Sequence, residues 1–181
     1  MISINQPFPG THLLKPKCFE DNRGNFVKTF HSGVFAELGI GFNPVEEFYS
    51  TSRKGVLRGM HFQVPPHEHD KLVYCIRGRV LDVVLDLRKS SKTYGQSYGN
   101  EISAQNQLIF FIPKGVAHGF VSLEEDSVLV YKTTTTHAPS HDIGVHWNTF
   151  GFVWPTLTET SLISARDRQF PALDEFQTPF L

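Results

Sequence analysis

The sequence predicts an all-β domain, a sandwich or barrel of short strands for which a two-sheet jelly roll is one solution. Three observations predict it. Short apolar runs recur between clusters of Gly, Pro, Asn and Ser, with turns roughly every 8–12 residues. Sixteen phenylalanines, with 14 glycines and 11 prolines, suit aromatic packing between sheets. Few windows hold the apolar period of a helix.

In chain order, residues 11–16 form a first strand, and residues 20–25 (EDNRGN) are a turn rich in breakers. Residues 26–30 alternate as a strand. Ser32 is positioned to cap a short helix through Leu38, stopped by Gly39 and weakened by Gly33 in its first turn. Residues 48–52 are a strand, turned by Arg53-Lys54-Gly55, and residues 72–76 another, ending at Gly78. Within 79–88, Leu81, Val83, Leu85 and Leu87 fall on one face and Val80, Asp82, Val84 and Asp86 on the other, the period of a strand. Residues 90–95 are a loop. Residues 108–112 form a continuous apolar run, the pattern of a buried strand, turned by Pro113-Lys114-Gly115. Residues 118–123 and 128–135 are strands around the polar tip Glu124-Glu125-Asp126. Residues 137–144 read as loop and 145–150 as one more strand. Ser164-Ala165-Arg166-Asp167 has the S-x-x-D form of a helix start.

At 181 residues the chain is long enough for one domain with a real core. A net charge of −1 describes no face for nucleic acid and no polybasic membrane patch. Cys18 and Cys75 lie far apart without a CxxC pattern, which suits a reducing compartment. The start, MISINQPFPG, lacks a basic segment followed by an apolar one, and no run of about 18 apolar residues occurs. A cytoplasmic protein without a membrane partner is expected.

The chemistry concentrates in residues 55–79, GVLRGMHFQVPPHEHDKLVYCIRGR. Arg58, His61, His67, His69 and Lys71 flank a Pro65-Pro66 corner, more ionisable groups than a structural strand needs. His67-x-His69 followed by PKGVAH ending at His118 resembles the two halves of a cupin metal pattern, and three imidazoles suit a divalent ion. The glutamate such a site carries after HxH is missing: Lys71, Leu72, Val73 and Tyr74 stand there, and a lysine repels the ion. No metal is expected, with His67 and His69 as loop bystanders. A metal-dependent cupin using His67, His69 and His118 is the rival reading.

Nine ordered motifs cover most of the chain: DNRGNF at 21–26, the stretch from Ser50 through VLRGMHFQVPP to Pro66, KLVYCIRG at 71–78, DVVLDLRKSSKTYG at 82–95, IPKGVAHGF at 112–120, LVYKTT at 129–134, WN at 147–148, WP at 154–155 and SARDR at 164–168. Together they resemble the dTDP-4-keto-6-deoxyglucose (dTDP-4-dehydrorhamnose) 3,5-epimerase family of deoxysugar biosynthesis. The resemblance implies a cupin-like jelly roll, a two-sheet β-sandwich with a few short helices, as a single domain over 1–181. It implies no cofactor, a nucleotide-diphosphate-sugar substrate, and a homodimer to whose interface the N-terminal segment, about residues 1–30, contributes. It also implies a chemistry: a proton leaves a carbon beside the C4 ketone and one returns to the opposite face, at C3, C5 or both. On the matching positions His61 is the base, Asp167 its carboxylate partner, Lys71 the cation beside the enolate and Tyr131 the acid on the far face. Arg58 and, from the partner chain, Arg23 match diphosphate contacts. His118 and Phe26 complete the substrate contacts.

Arg58 and His61 are three apart, so an ideal strand aims them at opposite faces; a bulge or twist at Gly59 is required if both serve one pocket. The chain also departs from the family. Glu46 and Phe48 replace a Gln-x-Asn pair, and Thr136-His137-Ala138-Pro139 replaces a Tyr-Tyr pair. A carboxylate at Glu46 accepts from the exocyclic amine of cytosine more readily than it meets thymine oxygens, which opens CDP beside dTDP as carrier. A catalytically silent sugar-nucleotide binding protein is the remaining rival.

Overall fold

The computed structural model describes residues 1–154 and 162–181; Pro155 of the WP motif lies outside the described residues. Its elements are β1 (Ile2–Asn5), β2 (His12–Lys15), β3 (Cys18–Asp21), β4 (Gly24–Val27), α1 (Ser32–Glu37), β5 (Glu46–Ser52), β6 (Val56–Gln63), β7 (Lys71–Arg77), β8 (Arg79–Asp86), β9 (Ser97–Ser103), β10 (Ile109–Ile112), β11 (Val116–Ser122), β12 (Ser127–Thr133), β13 (Asp142–Gly144), β14 (Leu162–Ile163) and a 3₁₀ turn at Asp167–Gln169. They form two sheets and a separate β3–β4 hairpin. The first sheet runs β1-β2-β10-β7-β12-β5, the second β13-β6-β11-β8-β9 with β14 added parallel to β6. The expected two-sheet β-sandwich is the architecture found.

Three apolar layers account for the packing. Between the sheets lie Val73, Cys75, Phe110 and Leu129 from the first and Val80, Val84, Ile102 and Phe120 from the second. The outer face of the second sheet, with Val83, Leu85 and Leu87, lies under Trp154 and Phe180. The outer face of the first is covered by Phe35, Ile40 and Phe42, from α1 and the segment after it. Strand β8 is therefore largely buried on both faces, with Asp82 and Asp86 among the valines of its inner face. No helix among the described residues is long and apolar enough to cross a membrane.

The structure corrects several expectations. Residues 97–103 form β9, which polar SYGNEIS does not announce; an edge strand needs only the backbone ladder to β8. The expected 137–144 loop ends in β13, while 145–150 form no strand. Val145 exchanges backbone hydrogen bonds with Met60, and the chain then turns so that the Thr149 N–H reaches the His146 carbonyl. Ser32 opens the helix from inside, with His31 as N-cap and no side-chain cap. The 26–30 strand ends at Val27, and Phe30 instead packs edge-on against Phe35 and Phe42.

What positions the site is a bend in β6. Across from it β11 pairs His118 with His61 and Phe120 with Arg58, so three steps on β6 face two on β11: a bulge. Gly59 sits in it at φ +140°, and a Cβ there would lie 2.5 Å from the Gly119 Cα. Gly59→Ala is expected to destabilise the fold by about 3 kcal/mol, from strain plus steric overlap. An unchanged urea midpoint would refute this account of the bend.

Candidate active site

Because of the bulge, Arg58 and His61 both line one cavity of about 410 Å³ between the sheets, together with Glu46, Lys71, His118 and Tyr131. The His61 ring pairs through Nε2 with Asp167 Oδ1 at 2.9 Å. Asp167 stands on a 3₁₀ turn, where its own N–H donates to the Ser164 hydroxyl at 3.0 Å. The S-x-x-D stretch thus ties down the first residue of the turn and presents its carboxylate, while the N-cap position, Arg166, has no side-chain cap. The second oxygen of Asp167 accepts the Gly59 N–H at 3.0 Å, so the bend also holds the acid. Burial raises the Asp167 pKa, but the hydrogen bonds from His61, Gly59 and Ser164 outweigh it and hold the carboxyl below its usual range. An ionised Asp167 takes the proton-bearing Nε2 and leaves Nδ1 of His61 as the free base.

Lys71 opens β7 on the opposing sheet. It is 9% exposed, and its Nζ donates to the His61 carbonyl at 3.0 Å. Burial pulls its pKa down to about 8, against the opposing pull of Asp142 and Asp82. Tyr131 comes from β12, is 7% exposed, and its hydroxyl lies 3.2 Å from Ser50 Oγ. Burial pushes the phenol well above its ordinary value, so it keeps its proton at neutral pH. Phe48 stacks on the Tyr131 ring at 4.8 Å and 13°. Arg58 donates to Ser52 Oγ and the Thr51 carbonyl, both neutral groups, so its charge is available to an anion. His118 pairs with Asp82 at 2.8 Å and turns its ring edge to Tyr131. Glu46 Oε2 accepts the His137 N–H at 2.7 Å.

The fold thus gathers His61, Lys71, Tyr131, Arg58, His118 and Glu46 on one cavity, with Asp167 behind His61. It does not bring Arg23 and Phe26 there. They occupy the β3–β4 hairpin and border a separate surface groove, with Arg23 paired to Asp21 and Phe26 59% exposed. Of the two expected bystanders, His67 packs at a tilt against His141, but His69 is a correction. It lines the cavity, takes the Gln63 amide on Nδ1 at 3.1 Å, and burial lowers its pKa to about 3. His67, His69 and His118 do not converge, and among the described residues no three His, Cys, Asp or Glu side chains do.

Sequence reasoning missed Gln63, Asp142 and Asp82. Asp82 had a signal, a charge between Val80 and Val84 on one strand face; Asp142 had none, being placed by the short β13. Chemically, the cavity sets a base from one sheet against a protonated phenol from the other, with a buried ammonium beside them.

A profile of the family described as dTDP-4-dehydrorhamnose 3,5-epimerase matches residues 5–175. The chain is 40% identical over 178 residues to the dTDP-4-dehydrorhamnose 3,5-epimerase of Salmonella typhimurium, covering 97% of each chain. Its fold is similar to the crystal structure of dTDP-4-dehydrorhamnose 3,5-epimerase from Bacillus anthracis with TDP and PPi bound (TM-score 0.92, 36% identity, 95% of this chain and 99% of that one). It is equally similar to dTDP-6-deoxy-D-glucose-3,5-epimerase from Legionella pneumophila in complex with dTDP-4-keto-L-rhamnose (TM-score 0.92, 35% identity, 97% and 94%).

Proposed function

The chain belongs to the dTDP-4-dehydrorhamnose 3,5-epimerase family of isomerases, and from that premise we propose how its own residues divide the reaction on a nucleotide-linked 4-keto-6-deoxyhexose. Nδ1 of His61 takes the proton from the carbon beside the ketone. The C–H electrons become the C=C bond of an enolate whose negative charge rests on the C4 oxygen, next to the Lys71 ammonium. The enolate collapses back to the ketone as a new C–H bond forms on the other face, with its proton from the Tyr131 hydroxyl. Asp167 stabilises the imidazolium in between. Arg58 holds the diphosphate.

The observation that supports this reading is the arrival of His61 and Tyr131 from opposing sheets on one cavity with a buried cation. A homodimer belongs to the same proposal. Arg23 and Phe26 stand outside their own cavity, on a hairpin whose Phe19 and Phe26 side chains are exposed. A second copy covers these rings and receives Arg23 at its diphosphate.

The named relatives act on dTDP-sugars, and dTDP is the first carrier to test. Glu46 favours CDP as a second reading: it lies on the cavity wall, and Oε1 has no partner among the described residues. NMR of dTDP-, CDP- and GDP-linked 4-keto-6-deoxyglucose in heavy water tests reaction, carbon and carrier together. Deuterium is expected at C3, C5 or both. Tyr131→Phe is expected to keep exchange but slow inversion by about 10²-fold. Absence of exchange with all three sugars would defeat the enzyme reading, and a thymidine preference unchanged in Glu46→Gln would defeat the cytidine reading.

A further inference from the structure

Two aspartates share the inward face of β8, and the fold treats them differently. Asp86 is saturated: Arg88 donates through its backbone N–H, Nε and Nη2, and the hydroxyls of Ser91 and Thr93 each reach it at 2.6 Å. That carboxylate ties the turn after β8 to the sheet. Asp82 is 0% exposed, alternates with Val80 and Val84, and accepts from His118 Nε2 at 2.8 Å. Its Oδ1 has no partner among the described residues. A buried carboxylate oxygen left unpaired is costly, and the apolar face around it has no packing need for a charge.

We infer that Asp82 is a positioning residue of the reaction: it fixes the tautomer of His118 and supplies the counter-charge that keeps the buried Lys71 an ammonium. The inference rests on the roles proposed above for His61 and Lys71. His118 is directly across the ladder from His61 and lines the same cavity. With Asp82 ionised, His118 Nε2 carries the proton and Nδ1 becomes an acceptor for a sugar hydroxyl. Burial raises the Asp82 pKa, and His118 and Lys71 oppose that rise, so the Asp82 carboxylate and the Lys71 ammonium favour each other's ionised forms.

Other titratable and charged groups share the cavity. Glu46, Asp142, Arg58, His61, His69 and His137 line its wall with Tyr131, and Cys75 packs in the same apolar layer as Tyr131. Among the carboxylates, Asp82 and Asp142 are those whose charge favours the Lys71 ammonium. Asp142 is already shared with Arg166 at 2.9 Å and His137 at 3.3 Å. The charge of Asp82 is less committed.

The test joins wild-type spectroscopy to variant kinetics. Long-range ¹H–¹⁵N correlation of the wild-type imidazoles is expected to show His118 as the neutral Nε2–H tautomer; the Nδ1–H tautomer or an imidazolium would overturn the inference. In Asp82→Asn, kcat is expected to fall about 10-fold or more with KM nearly unchanged. The alkaline limb of its pH–rate profile is expected to move down by about one pH unit, because Lys71 loses its proton more easily once a nearby negative charge is gone. Asp86→Asn, the control, is expected to lower the melting temperature without moving that limb. An active wild type whose Asp82→Asn variant keeps both kcat and limb would overturn the inference while leaving the epimerase reading intact. A silent wild type would overturn both. If Asp82→Asn does not fold, the wild-type tautomer decides.

Discussion

His61→Ala is expected to slow deuterium exchange beside the ketone by about 10³-fold or more, the scale at which a positioned base contributes. Binding of the nucleoside diphosphate should change by no more than about 3-fold, because Arg58 and the Glu46 end of the cavity are untouched. Heavy-water NMR reads the first quantity and calorimetry the second. Added imidazole should restore part of the exchange, since Asp167 and the Gly59 N–H that holds it remain in place. Exchange at the wild-type rate would remove His61 from the mechanism. Loss of binding in parallel would instead make it a structural residue.

Lys71→Met is expected to move activity and stability in opposite directions. Without the ammonium the enolate loses its nearest positive charge, and kcat should fall by about 10²–10³-fold. The stability change follows from linkage. The folded Lys71 pKa is about 8 against an ordinary 10.5, so the unfolded chain binds its proton more tightly. Below about pH 8 the full penalty of burying the charge stands; between the two values stability rises with pH; above both the penalty is gone. A shift of this size corresponds to roughly 3 kcal/mol. The His61 carbonyl left without its donor offsets about 1–2 kcal/mol of it. A net gain of about 1–2 kcal/mol at pH 7, or about 3–6 °C in melting temperature, is the expected result. A lower melting temperature would mean that the charge is not the strained element of this site.

The sandwich was legible because its strands announce themselves: the alternation through 79–88 and the apolar run at 108–112 needed no further information. Strand β9 was not, since an edge strand of polar residues is made by its neighbour's ladder rather than by its own pattern. The site divides in the same way. His61, Lys71 and Tyr131 stood in motifs, and the conflict between Arg58 and His61 located the bend at Gly59 before any geometry was known. His69 was misjudged because solvent exposure in a loop is the default for a histidine after Pro65-Pro66. Its burial depends on the Gln63 amide and on Thr135, which lies 66 positions along the chain. Asp142 is a pocket residue only through the β13–β6 pairing, a tertiary fact.

The His61–Asp167 pair spans 106 positions. Its carboxylate half sits outside both sheets, on a turn held by the Ser164 hydroxyl, the Gly59 amide and His61, with Arg166 paired to Asp142 beside it. These attachments come from residues far apart in the chain, so the pair forms only once β6, β13 and the turn are docked together. Catalytic competence therefore depends on long-range docking: loosening the turn is expected to silence the base proposed at His61.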